Sequence, residues 1–172
     1  MVEINSGSFK LRPFRKEDAE IFHMGINTTR IERDTTIPVP WALDSVIWWI
    51  GFITDAAART PLTELHFVIE VEGELAGSIG IINIDVHKAE IGYWLKEEYA
   101  GKGIMTNVIK LVADQAFEKL NLKRLFAPVL THNKASAKAL EKNGFLMEGV
   151  LKSFYLKNGK YIDAFCYAKV VD

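Results

Sequence analysis

The chain has 172 residues, 49% hydrophobic and 25% charged, with a formal net charge of −1 and a pI near 6.4. That is the size and balance of one ordinary domain spanning residues 1–172, able to bury roughly 70% of its unfolded surface. A near-neutral charge gives no footprint for nucleic acid or an anionic membrane, so any polyanion has to be held locally.

Phe9-Lys10-Leu11-Arg12-Pro13-Phe14 alternates and stops at a proline, which predicts a short first strand. Lys16-Glu17-Asp18-Ala19 then opens a helical stretch that carries Ile21, Phe22, Met24 and Gly25 toward a core and fades near Asn27-Thr28-Thr29. Residues 30–43 hold Pro38 and Pro40 and show no sustained period, the pattern of a functional or mobile loop. Asp44 or Ser45 is placed to cap a second helix, Val46 to Ala58. Its Trp48, Trp49 and Phe52 suit either a core or, with Trp41 beside them, a pocket wall.

From Thr63 the period changes to two. Leu65, Phe67, Ile69 and Val71 share one face, and His66, Val68 and Glu70 the other. Turns at Glu72-Gly73-Glu74 and Asp85-Val86-His87-Lys88 link this strand to Leu75–Ile84 and Ala89–Leu95, predicting an antiparallel meander. Met105, Ile109, Val112, Ala116 and Leu120 then recur at helical spacing, and Arg124 to Leu130 reads as a strand, which makes one right-handed parallel crossover. Asn133 caps a helix over Lys134–Asn143 that Gly144 stops. Phe145–Lys157 and Lys160–Val170 form a last hairpin turned at Asn158-Gly159. The expectation is an α/β (α+β) domain with a mixed, mostly antiparallel sheet of about seven strands and helices on both faces.

The longest apolar run, Val46 to Ile53, is too short to cross a bilayer, and the opening Met1-Val2-Glu3-Ile4 lacks a basic region followed by an apolar stretch. A cytoplasmic location is therefore expected. Cys166 alternates with Phe165 and Tyr167 and suits a packed thiol, and His23, His66, His87 and His132 lack metal-ligand spacing, so no metal is expected.

Between the third meander strand and the long helix lies the turn Tyr99-Ala100-Gly101-Lys102-Gly103-Ile104-Met105-Thr106. A glycine-punctuated turn opening a helix leaves several amides unpaired where the macrodipole favours negative charge, so it can cradle a phosphate. Glycines that only shape a tight connection explain the same residues. The chain has neither G-x-x-x-x-G-K-[ST] nor the third glycine of a dinucleotide fingerprint.

Three segments in order carry a likeness to a known family: Ala89-Glu90-Ile91-Gly92-Tyr93-Trp94-Leu95, Tyr99 to Thr106, and Asn133-x-x-Ser136-x-x-x-Leu140-Glu141-Lys142-x-Gly144-Phe145-x-x-Glu148-Gly149. Together they resemble the GNAT N-acetyltransferases, nearest to the RimJ/RimL branch, which acetylates the N-termini of ribosomal proteins. The resemblance implies acetyl-CoA as cosubstrate and direct transfer to a primary amine. It implies that the amides of Gly101, Lys102, Gly103, Ile104, Met105 and Thr106 hold the pyrophosphate. It gives Trp94 and Leu95 a backbone role against the pantetheine arm, and it sets Asn133 beside the cofactor, where a helix cap competes for the same oxygen. Ser136 resembles the residue proposed as acid toward the leaving thiolate. The tyrosine that many members carry seven residues after the asparagine is Leu140 here.

Glu90 is the first candidate for general base and Tyr155 the second; Glu90 reads equally as an exposed strand-edge carboxylate. A strand N–H at Trp94 or Leu95 suits the oxyanion. The acceptor is expected to be a protein N-terminal α-amine of the ribosomal-protein type, with Glu32 and Asp34 suiting a cation. A polyamine or aminoglycoside acceptor and a non-catalytic CoA-binding domain are the alternatives, and monomer and homodimer are both compatible.

Overall fold

Period-two patterning in the middle of the chain builds the sheet, and helical stripes before and after it supply the cover. The computed structural model describes residues 3–172. Strands β1 (Ile4–Asn5), β2 (Lys10–Arg12), β3 (Leu65–Val71), β4 (Glu74–Asp85), β5 (Lys88–Leu95), β6 (Arg124–Leu130), β7 (Leu146–Lys157) and β8 (Lys160–Val170) form one sheet in the order β1-β2-β3-β4-β5-β6-β8-β7. Among the described residues β5 and β6 make the one parallel pair, joined by a helical crossover as expected. Eight strands stand where about seven were expected, because Ile4–Asn5 pairs with Lys10 and Leu11 as a two-residue edge too short to show a period.

Helices α1 (Ala19–Ile26), α2 (Thr29–Asp34), α3 (Leu43–Ala56), α4 (Ile104–Lys119) and α5 (Lys134–Glu141) divide between the two faces. On one face α4 buries Val108, Ile109, Val112 and Ala116 against Ile69, Ile79, Ile91 and Leu125, with Leu140 of α5 beside them. Each of these valine, isoleucine and leucine side chains stabilises by roughly 1.5–3 kcal/mol. Met105 and Leu120, expected in this stripe, lie half-buried at its edge. On the other face α1 and α3 pack Phe22, Ile26, Val46, Ile50 and Ile53 onto Val68, Leu75 and Trp94. Alternation along β5 makes this division: Ala89, Ile91, Tyr93 and Leu95 meet the first core, whereas Glu90, Gly92 and Trp94 face the second.

Two local expectations are corrected. Residues 29–34 are helical rather than loop, because Thr28 Oγ1 accepts the Ile31 N–H at 3.4 Å and Ile31 itself is buried; one anchor in six residues leaves no period to detect. Asp44 and Ser45 lie inside the first turn of α3, whose N-cap is Ala42 with no side-chain cap. Packing of Val46, Ile50 and Ile53 holds that helix instead. A buried ion cluster ties the start of the chain to the sheet: Arg12 forks onto Asp18 at 2.8 and 2.8 Å, and its Nε donates to Glu70 at 2.7 Å.

Candidate active site

The parallel strands β5 and β6 pair only through Lys88–Glu90 and Arg124–Phe126. Beyond Glu90 the edge of β5 that faces β6 has no ladder partner, and a cleft opens on each face of the sheet. Asp34, Thr35, Tyr93, Trp94, Asn133 and Ser136 line both clefts, so the two meet at this gap.

The direction of the free amides follows from the ladder. Lys96 N–H donates to the Ala76 carbonyl at 2.7 Å and Trp94 stands opposite Ser78, so alternation turns the backbone groups of Trp94 toward β4. Tyr93 and Leu95 therefore present theirs to the gap. Of the two positions expected to face an extended arm, Leu95 does so; Trp94 is committed to β4, and Tyr93 takes its place.

One cleft, about 270 Å³, runs from this edge to the glycine turn. Gly101 and Gly103 have φ of 75° and 77°, and a Cβ at either would meet no atom within 4 Å. Gly103 is the N-cap of α4 and offers no side chain, and the first helical bond runs from Asn107 N–H to its carbonyl at 3.1 Å. The amides of Ile104, Met105 and Thr106 are thus left without an intrahelical acceptor, all three beside the cleft. These groups fit a diphosphate. Lys102 does not line the cleft; its ammonium lies over the Tyr99 ring, 5.6 Å from the centroid.

The other cleft, about 290 Å³, has an aromatic wall of Phe22, Trp41 and Trp49. Phe22 stacks on Trp49 with centroids 5.3 Å apart. Asn27, just past α1, holds Trp41 by its backbone, accepting the Trp41 N–H at 2.7 Å and donating to its carbonyl at 3.0 Å. Trp48 and Phe52 do not take part: Trp48 is 68% exposed and the two stack on each other away from the cleft. His66 lies 2.8 Å from Glu64 through Nε2, and burial lowers its pKa, which favours the neutral ring. A Cβ at Gly80 would come within 2.5 Å of His66 Nδ1, so only glycine lets this ring lie on β4.

Glu90 and Tyr155 also line this cleft, although β5 and β7 are not adjacent in the sheet. Burial raises the Glu90 pKa above the ordinary carboxylate range. Burial, with the Glu90 charge second, pushes Tyr155 up to about 12, so its phenol keeps its proton at neutral pH. Asp34, the other acidic residue lining this cleft, is bound by Arg33 at 2.7 and 2.7 Å, which lowers its pKa. Glu32 is turned to Asn158 and lines neither cleft.

Asn133 caps α5 as expected, its Oδ1 accepting the Ser136 N–H at 3.1 Å, while Nδ2 donates to the Asp34 carbonyl at 2.9 Å. Both ends of its amide are in use. His132 Nε2 lies 2.9 Å from the Arg33 carbonyl and Lys157 Nζ 2.7 Å from that of Thr35, so three successive carbonyls at the end of α2 are tied down over the gap. Ser136 Oγ is 2.9 Å from the hydroxyl of Tyr93, which burial keeps protonated. Sequence reasoning missed the side chain of Tyr93; its one signal was a hydroxyl within the apolar stripe Ala89, Ile91, Leu95. Leu140 is fully buried, so that position serves the core.

A sheet that opens between parallel strands, with free helix-start amides on one face and a carboxylate in an aromatic cleft on the other, defines an acyl-CoA-dependent N-acyltransferase. Residues 9–146 match the Acetyltransferase (GNAT) domain, and the chain belongs to that family. It is 32% identical over 160 residues to a spermidine N(1)-acetyltransferase of Escherichia coli (strain K12), covering 91% of this chain and 83% of that protein. It is 34% identical over 108 residues to a ribosomal-protein-serine acetyltransferase of the same strain, covering 62% and 60%. Mycobacterium smegmatis RimJ, solved in complex with CoA-disulfide, superposes with a TM-score of 0.85 at 28% identity, over 95% of this chain and 82% of that one. The protein is an acetyl-CoA-dependent N-acetyltransferase with the expected mixed fold and RimJ/RimL likeness. No helix among the described residues is long and apolar enough to cross a membrane.

Proposed function

We propose that the acceptor is a protein N-terminal α-amine of the ribosomal-protein type, entering through the aromatic cleft. The observation that carries this reading is the charge of that cleft: of its two carboxylates Asp34 is already taken by Arg33, which leaves Glu90 for a single cation. A polyamine would bring several charges to one free carboxylate. A cleft of about 290 Å³ suits the first residue or two of an exposed terminus. An α-amine, with a pKa of about 7.7–8.0, is already partly neutral at pH 7, whereas a lysine-type amine near 10.4 costs about 3 kcal/mol more to deprotonate. A modest base is then enough.

In this reading acetyl-CoA supplies the activated acyl group, its diphosphate on the amides of residues 101–106 and its arm along the open edge of β5. Glu90 takes the proton from the incoming amine, directly or through water, and its raised pKa brings it nearer the working pH. Tyr155, kept protonated, orients the amine or Glu90 as a hydrogen-bond donor. The N–H of Tyr93 or Leu95 receives the negative oxygen that forms as nitrogen bonds to the acyl carbon. The hydroxyls of Tyr93 and Ser136 stand 2.9 Å apart; in this reading Tyr93 is the donor of that bond, which leaves the serine proton for the sulfur as the carbon–sulfur bond breaks.

The likeness to the spermidine enzyme over 91% of the chain favours a second reading, a polyamine acceptor. Release of CoA thiol, measured with short peptides bearing free or blocked N-termini, with spermidine and with an aminoglycoside, separates the two. Turnover of free-N-terminus peptides alone supports the proposal; a higher kcat/KM for spermidine overturns it.

A further inference from the structure

On the acceptor side of the sheet one row of residues crosses β3, β4 and β5 as His66, Gly80 and Gly92, since His66 stands opposite Gly80 and Gly80 opposite Gly92. The rows beside it carry side chains: Val68, Ser78 and Trp94 on one flank, Ile82 and Glu90 on the other. Two glycines between such rows leave a trench in the floor of the cleft, closed at its β3 end by His66. Only one of the two is needed for packing. Gly80 makes room for the His66 ring, whereas a Cβ at Gly92 would approach nothing nearer than Ile82 Cδ1 at 4.0 Å, and the φ of Gly92 is not left-handed. The space above Gly92 is free for a ligand.

The ring that closes the trench is held on three sides. Trp49 stands perpendicular to it with centroids 5.3 Å apart, Gly80 lies beneath it, and Glu64 holds Nε2 at 2.8 Å. A carboxylate only accepts, so Nε2 carries the proton and the lone pair of the neutral ring is on Nδ1. Nδ1 lies over Gly80, and among the described residues nothing donates to it. The His66 side chain is 11% accessible, so a group that reaches Nδ1 has to be small and to end there.

We propose that His66, held by Glu64, is a specificity residue for the acceptor: its Nδ1 accepts a hydrogen bond from a hydroxyl on the side chain of the acceptor's first residue, which lies in the trench. The spacing suits this. From Gly92 to Gly80 is one strand separation, about 4.8 Å, the reach of a short side chain from a backbone held over β5. A longer side chain runs into the ring, and an alanine leaves Nδ1 without a donor, which is how a polar site rejects an analogue lacking the group it binds. The proposal rests on the reading of the acceptor as a protein N-terminal α-amine and adds which N-termini are preferred, those that begin with a hydroxyl-bearing residue.

The experiment measures kcat/KM for CoA thiol release with short peptides that differ only in a first residue of serine, alanine or 2-aminobutyric acid, the last carrying a methyl group in place of the hydroxyl. The parent should favour serine over both by about tenfold, the scale of one neutral hydrogen bond. His66→Phe keeps a ring beside Trp49 and removes the lone pair; it should bring that ratio to about one, chiefly by lowering the serine value, with the KM for acetyl-CoA unmoved. Should His66→Phe melt early, Glu64→Gln carries the test: an amide can donate to Nε2 as well as accept from it, which lets the ring proton move to Nδ1, and the serine preference should fall below that of the parent. Equal values for the three peptides in the parent overturn the role of His66 and leave the α-amine reading in place, whereas turnover of spermidine and of none of the peptides overturns both. A serine preference that survives His66→Phe also overturns the role, and so does a loss equal on all three peptides, which marks a structural one.

Discussion

Of the two clefts that meet at β5, the one we assign to the cofactor offers mainly backbone, and the one we assign to the acceptor offers side chains. The cofactor cleft uses two left-handed glycines, three helix-start amides and the open edge of a strand, nearly all within residues 93–106. The acceptor cleft draws Phe22 from α1, Trp41 from a loop, Trp49 from α3, His66 from β3, Glu90 from β5 and Tyr155 from β7. A backbone device needs only a local run with the right φ values and serves any sequence that keeps them. A side-chain device depends on packing between distant elements, and that is where one acyltransferase can differ from another in its acceptor.

The sharpest way to break this contrast is at Glu90. Glu90→Gln should lower kcat/KM by about 10²–10⁴, the range of a lost general base, and remove the acidic limb of the pH profile without changing the KM for acetyl-CoA. Because burial raises its pKa, the parent enzyme should lose activity on acidification at a higher pH than an ordinary glutamate would dictate. The stability sign is opposite. A carboxyl whose folded pKa is raised favours the folded state while protonated, and that advantage disappears as pH rises through the folded value. At neutral pH the Gln variant should therefore melt no earlier than the parent, and a lower melting temperature together with lost activity would assign Glu90 a structural role.

The next effect belongs to the cofactor side. Gly103→Val places a β-branched residue at φ 77°, which costs about 1–2 kcal/mol and turns the first amides of α4 away from the cleft. The KM for acetyl-CoA should rise about tenfold or more, as for one charge-assisted hydrogen bond lost, with the acceptor KM unmoved. Since a Cβ there meets no protein atom, a normal affinity for CoA would return the turn to a purely structural role.

Tyr93 joins the two sides, and smaller losses are expected there. Tyr93→Phe should reduce kcat by about fivefold, the scale of a hydrogen bond near 1 kcal/mol, at constant KM for both substrates. Combined with Ser136→Ala it should add little, because the two hydroxyls, 2.9 Å apart, act as one unit. Additive losses would separate them. The smallest change is expected from Trp41→Phe, which keeps the backbone bonds to Asn27 and trims the wall: the acceptor KM alone should rise a few-fold, on the scale of an aromatic contact worth about 0.5–1.5 kcal/mol.

The meander, the crossover and the last hairpin were legible because alternation and turn chemistry are short-range properties. The Asn158-Gly159 turn is an instance, with φ of 50° and 73° where positive values are needed. The glycine turn was legible for the same reason. Helix α2 was not, since its stability comes from the burial of Ile31 and from His132, Asn133 and Lys157 holding carbonyls of its last residues and of Thr35, all far along the chain. The acceptor wall was half legible: Trp41 and Trp49 were candidates, but which tryptophan of α3 faced the cleft depended on how the helix was rotated against β3 and β4.

By itself, then, the sequence determined the meander, the crossover, the last hairpin and the family, because each rests on residues close together in the chain or on a short motif. Tertiary structure alone decided that Tyr93 and Leu95, rather than Trp94, offer free amides, since that depends on the ladder from Lys96 to Ala76. It likewise decided that Tyr155 keeps its proton beside Glu90. Burial and the charges a group faces set its chemistry, and both arise only when elements distant in the chain are packed together.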